Sequence, residues 1–191
     1  MHRNQPSTVR ILGIDPGTRV AGYGLVDCDR SRVEAIALGA WTLGKEAPLH
    51  YRLGKLAAEF DRLVSHYRPT HLCLEDSFVA RFSRSALLIG HARGAILARA
   101  FACGLVVHSM MPTEAKRRVT GDGHASKELV ARCLKSLLGL QGVERLPHDA
   151  TDGLALAYAL GLEIRSSLRL KSSQVAKPLV SGRRESQDRE T

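Results

Sequence analysis

The chain has 191 residues, 44% of them hydrophobic, which suffices for one domain with a sizeable core. Its 28 lysines and arginines against 19 acids give a formal charge of +9 and a pI near 9.8, a balance that a polyanionic partner, nucleic acid first, explains better than solubility does. No stretch is apolar enough for a membrane span and the N-terminus lacks an apolar leader, so a cytoplasmic protein is expected. Cys28, Cys73, Cys103 and Cys133 form no Cys-x-x-Cys pair, which excludes a zinc ribbon. The last three have apolar neighbours and are expected to be buried, reduced thiols.

Residues 1–8 are polar and read as a flexible N-terminus. Strand-like segments follow at about 9–15, 21–28 and 32–42, separated by Pro-Gly and Asp-Arg-Ser turns, and the short connections predict an antiparallel meander. From Tyr51 the apolar period becomes helical: Leu53, Leu56, Ala57, Phe60, Leu63, Val64 and Tyr67 share one face, and Pro69 stops the helix. HLCLED (71–76) reads as a strand buried on both faces. Residues 84–103 form a helix rich in Ala and Gly, 105–111 a strand, and 114–119 a short helix with Thr113 as its N-cap. After the TGDGHAS loop (120–126), Ser126 caps a helix with Leu129, Val130, Cys133, Leu134, Leu137 and Leu138 on one side. A last helix starts near Pro147 and runs to about Ile164. The domain is expected to span 9–165, with 166–191 a basic, disordered tail. Antiparallel strands first and parallel ones after predict an α/β fold with a mixed five-stranded sheet flanked by helices.

Within that order, four acids stand out by position. Asp15 interrupts an apolar strand just before a turn, Glu75 ends the HLCLED strand, and Asp149 and Asp152 lie three apart at the start of the last helix. Taken singly, Asp15 could serve the turn, Glu75 could be a polar strand end, and Asp149 and Asp152 could cap the helix and complement its dipole. Together they point elsewhere. If the first and fourth strands lie side by side and parallel, Asp15 and Glu75 end at the same edge. Two carboxylates at about 4 Å repel by roughly 4 kcal/mol at an effective dielectric of 20, so converging acids favour a divalent cation. Oxygen-only ligands suit magnesium, with manganese able to substitute, rather than zinc. Two such ions about 4 Å apart support in-line cleavage of a phosphodiester.

Three segments carry a family resemblance: ILGIDPGTRVAGYG, LEDSFVARFSRSALLIGHARG (74–94) and PHDATDGLALA (147–157). Together they resemble the RuvC family of Holliday-junction resolvases, from about residue 9 to residue 165. The resemblance implies a ribonuclease H-like fold and a Mg2+-dependent endonuclease with two ions per site, held by Asp15, Glu75, Asp149 and Asp152. It further implies a homodimer that cuts opposing strands of a four-way DNA junction to leave 5′-phosphate nicks, with the helix from Ser85 to Ala102 supplying dimer contact. Association with a RuvA–RuvB branch-migration complex follows from the same resemblance. Lys116 and Lys127 match basic positions that serve cleavage, and Arg117 beside Lys116 would contact DNA. Phe78 matches an aromatic that meets bases at the junction centre. Phe82 stands where relatives often have a small polar residue, and Arg81 and Arg84 would grip backbone. Leu160 replaces a His found in many relatives, which removes any His-assisted step there.

Other readings fare less well. Asp15-Pro16-Gly17-Thr18 resembles the phosphate loop of actin-like ATPases, but those need two domains and a second such motif. The G-x-x-x-x-G at 17–22 is followed by Tyr-Gly, not Lys-Ser or Lys-Thr, which excludes a P-loop. A ribonuclease H-like nuclease acting on structured RNA or RNA–DNA hybrids, and a non-catalytic basic DNA-binding protein, remain as alternatives.

Overall fold

The structure, a computed structural model, describes residues 8–76, 84–140 and 147–175, the last five as backbone only. Three strands come first, β1 (Val9–Asp15), β2 (Val20–Cys28) and β3 (Val33–Thr42), joined as an antiparallel meander. Helix α1 (Leu49–Tyr67) then crosses to β4 (His71–Glu75), which pairs parallel to β1. Helix α2 (Arg84–Ala102) leads to β5 (Val106–Met110), parallel to β4. Helices α3 (Pro112–Thr120), α4 (Lys127–Leu137) and α5 (His148–Val175) complete the chain. The sheet order is β3-β2-β1-β4-β5, the mixed five-stranded sheet expected from the sequence.

Strand alternation sends side chains to two faces. Leu12, Ile14, Leu25, Leu72 and Leu74 pack on one face against Leu56, Phe60 and Leu63 of α1 and Ala92, Ile96 and Ala100 of α2. Ile11, Val26, Cys73 and Met110 pack on the other against α3, α4 and α5. Helix α5 is sandwiched between the sheet and its neighbours, so the run from Gly153 to Leu160 is buried on every side.

Its approach to the sheet is closer than ordinary side chains allow. A Cβ on Gly22 would sit 1.8 Å from the Asp149 carbonyl oxygen, and one on Gly153 would sit 2.7 Å from Tyr23 Cα. The first turns of α5 therefore rest directly on β2 backbone.

Four details differ from the sequence reading. Helix α3 begins at Pro112 with extended Met111 as its N-cap, because proline at the first helical position is already set for the helix and lacks only a donor the helix does not use. Cys103 is exposed and Cys133 half-buried, whereas Cys73 and Cys28 are buried; all four are free thiols. Cys103 follows the last residue of α2 and faces solvent, whereas Cys133 on α4 packs against the edge of the core and is covered only in part. Finally, α5 runs on to Val175, past the expected end near Ile164. Ser166 and Ser167 bond back to the Leu162 and Glu163 carbonyls, and Arg169 donates to the carbonyls of Arg30 and Ser31 in the β2–β3 turn, so this polar stretch is held as helix.

Candidate active site

Strand parity decides where the first two acids point. Asp15 follows Gly13 by two residues and Glu75 follows Cys73 by two, and Gly13 pairs with Cys73 across the parallel β1–β4 ladder. Both carboxylates thus leave the sheet on the α5 side, from adjacent strands whose spacing is about 4.8 Å. On its other side Asp15 pairs with Gly22, the residue on which the Asp149 backbone rests. One glycine contact therefore brings the start of α5, with Asp149 and Asp152, to the end of β1.

The electrostatics record this convergence. The Asp15 carboxyl is pushed up to about 7, first by burial and then by the charges of Glu75, Asp152 and Asp149, with Lys127 acting in the opposite direction. Acids from β1, β4 and α5 thus share one field. Lys127 meets it as the first residue of α4, set there by the Ser126 hydroxyl, which accepts from the Leu129 N–H at 3.2 Å. Its ammonium donates to Asp152 Oδ2 at 2.5 Å, and this bond is the chief cause of its raised pKa. Lys116 lines the same cleft as Glu75 and Asp152, and its ammonium donates to the Ala125 carbonyl at 2.9 Å, tying the loop before Lys127 to α3.

Among the described residues, no three His, Cys, Asp or Glu side chains are closed into a ready metal-binding group. The donor set nevertheless fits a hard divalent ion. All four groups are carboxylates, and Asp15 is pushed up to about 7 by burial first and by the negative charge of its neighbours second, a balance that a cation would relieve.

The remaining predicted contacts separate into two sets. Arg84, at the start of α2, and Arg117, on α3, are exposed. Phe78, Arg81 and Phe82 lie outside the described residues. Leu160 is 1% exposed, packed in the core with its α5 neighbours and away from the cleft.

Two supporting residues were not singled out from sequence. Arg52 of α1 donates to the Thr18 carbonyl at 3.0 Å and so holds the turn that follows Asp15. Arg93 of α2 donates to the Glu75 carbonyl and, at 2.7 Å, to Ser109 Oγ. Nothing in the sequence sets Arg93 apart, since Arg99 adjoins the same buried Ala92, Ile96 and Ala100 stripe.

The fold places the chain in the ribonuclease H-like class, a superfamily of nucleases that generally depends on divalent metal ions. The model of the family described as crossover junction endodeoxyribonuclease RuvC matches residues 11–160. A RuvC from Chlorobaculum parvum is 40% identical over 148 residues, covering 78% of this chain and 79% of its own. This chain belongs to the RuvC family. Among solved structures, Thermus thermophilus RuvC in complex with Holliday junction substrate is 28% identical with a TM-score of 0.76, covering 84% of this chain and 97% of that one. The yeast mitochondrial Holliday junction resolvase Ydc2, 14% identical with a TM-score of 0.59 over 87% of this chain and 86% of its own, shares the fold.

Proposed function

We propose that this chain resolves Holliday junctions during recombination and DNA repair, by nicking two opposing strands symmetrically and leaving 5′-phosphate ends. The observation that carries the reading is the common field at Asp15, produced by acids from three separate elements. Asp15, Glu75, Asp149 and Asp152 would hold two Mg2+ ions, with Mn2+ as a substitute, in keeping with an oxygen-only donor set. Bound divalent ions supply Lewis acidity for phosphodiester hydrolysis. The chain's own residues do the rest. Lys127, at the mouth of the cleft on Asp152, would supply positive charge toward the phosphate. Lys116 keeps the loop ahead of Lys127 in place. Phe78 and Phe82 would meet junction bases, while Arg81, Arg84 and Arg117 would hold the backbone.

A homodimer completes the reading, since two opposed cuts need two sites related by two-fold symmetry. Helix α2 offers the surface. Leu87, His91, Gly94, Ala98 and Phe101 are exposed and share one face, opposite the buried Ala92, Ile96 and Ala100. Leu87 is 63% and Phe101 86% exposed, and among the described residues nothing outside α2's own backbone lies within 4 Å of a Cβ on Gly90 or Gly94, which leaves room for a partner helix. No helix among the described residues is long and apolar enough to cross a membrane. A cytoplasmic site of action, a nuclease domain that starts at residue 9 and takes in the whole of α5 ahead of a basic tail, and association with a RuvA–RuvB complex belong to the same proposal.

The test is a synthetic four-way junction compared with linear duplex, in Mg2+ and in chelator. Wild-type protein should cut the junction only with Mg2+. Glu75→Gln and Asp152→Asn should bind it with wild-type affinity while cleavage falls by at least about a hundredfold. Cleavage by either variant at the wild-type rate would remove the assignment.

A further inference from the structure

We propose that Arg93 is a positioning residue that fixes the end of β4 and thereby aims the Glu75 carboxylate into the cleft. The inference rests on the nuclease reading of Glu75 and adds a residue to it.

Arg93 sits in the middle of α2, and its guanidinium spans the carboxyl ends of two neighbouring strands. Nη1 donates to the Glu75 carbonyl, Nη2 donates to Ser109 Oγ of β5 at 2.7 Å, and Nη2 lies 3.5 Å from Asp76 Oδ1. The Arg93 side chain is 22% exposed and its contact with the Glu75 carbonyl is partly buried, whereas Ser109 and Asp76 face solvent. The β4–β5 ladder pairs Glu75 with Met110, and just past it the Asp76 N–H donates to the Met110 carbonyl at 2.9 Å, so Arg93 adds a side-chain hold to the last rung of the sheet. Strand β4 has five residues, and its last is Glu75. A residue at the end of so short a strand keeps its direction only if its peptide is held. The planar, multi-donor fork of arginine can hold a carbonyl, a hydroxyl and a carboxylate at once; the single ammonium of lysine cannot reproduce that geometry.

The position of Arg93 on α2 adds a consequence. The same helix carries the exposed Leu87 to Phe101 face on its far side. How α2 is seated therefore bears on how Glu75 is held.

The experiment compares wild type, Arg93→Ala, Arg93→Lys and Ser109→Ala, with Glu75→Gln as control. Readouts are melting temperature, affinity for a synthetic four-way junction in chelator, Mn2+ affinity without DNA from water-proton relaxation, and single-turnover cleavage against Mg2+ concentration. Arg93→Ala is expected to bind the junction within about twofold of wild type, to need at least fivefold more Mg2+ for half-maximal cleavage, and to lose a similar factor in Mn2+ affinity. Arg93→Lys should recover part of the loss. Ser109→Ala, an exposed change that leaves the core untouched, should lie between wild type and Arg93→Ala and covers the case in which the latter does not fold. Unchanged metal dependence in Arg93→Lys and Ser109→Ala overturns the proposal, as does a loss of cleavage that only tracks melting temperature. If Glu75→Gln itself cleaves normally, the active-site reading fails; if it is inactive while the Arg93 variants are normal, only the positioning role fails.

Discussion

Replacing Asp15 by Asn should abolish cleavage and, in the absence of metal, make the protein more stable. In the native state the Asp15 carboxyl titrates at about 7, against an ordinary value of 3.8, so between those values the native state binds a proton that the unfolded chain has released. The contribution is fully present below pH 4 and is lost as pH rises through 7. Three decades at 1.36 kcal/mol each correspond to about 4 kcal/mol, and solvent reaching the cleft rim reduces this to about 2–4 kcal/mol. Asparagine keeps the shape and carries no charge, so it escapes that loss. The assay is thermal unfolding of wild type and Asp15→Asn in chelator at pH 5 and pH 8. The variant should melt higher at pH 8, by several degrees at about 2–4 °C per kcal/mol for a chain of this size, and the gap should shrink at pH 5. Adding Mg2+ at pH 8 should stabilise wild type and reverse the order, because an ion that binds only the native state adds its binding free energy. If Asp15→Asn were no more stable than wild type at pH 8 in chelator, or if the gap did not depend on pH, the crowded-carboxylate account would be wrong.

Other consequences of the structure can be checked separately. Gly22→Ala should push α5 off β2, costing about 1–3 kcal/mol in urea denaturation and most of the cleavage rate, because its Cβ would fall 1.8 Å from the Asp149 carbonyl oxygen. Leu87→Glu, at an exposed point of α2, should leave melting unchanged while halving the mass seen by light scattering; an unaltered mass would take α2 out of the dimer contact. Junction affinity should fall by roughly a thousandfold between 50 and 200 mM salt if six or more phosphates are gripped, and a flat response would refute phosphate gripping.

How far the sequence carried this picture depended on the range of the interaction. The carboxylates were legible because each is an exception within a short pattern: Asp15 ends an apolar alternation, Glu75 ends a five-residue buried strand, and Asp149 and Asp152 open a helix. Periodicity fixes which face such residues take, and the strand order follows from short against long connections. Contacts between elements left no such trace. Gly22 and Gly153 resemble ordinary strand and helix glycines until α5 is laid on β2. Arg93 and Glu75 are 18 residues apart, and their link is a backbone carbonyl, which no residue type advertises. The extension of α5 escaped for a related reason. Its serines and Arg169 read as a solvated tail, yet their partners are carbonyls one turn back and in a turn near residue 30.

The cleft also explains how a chain of charge +9 comes to carry an acidic centre. Positive charge spread over the surface gathers a polyanion but does not by itself select where it is cut. On the proposed reading, the site of cutting would be set by a small region of opposite sign, whose repulsion of phosphate divalent ions would offset. Lys127 on Asp152 gives that region an internal counter-charge, and this lowers the Asp15 pKa relative to what the carboxylates alone would produce. Removing the lysine charge should therefore act on stability in the opposite direction to removing the aspartate charge, while both changes impair cleavage. Lys127→Met should lower melting in chelator at pH 8, where Asp15→Asn raises it, and a double variant should fall between the two. If both single variants moved melting in the same direction, the two side chains would not be acting through one electrostatic field.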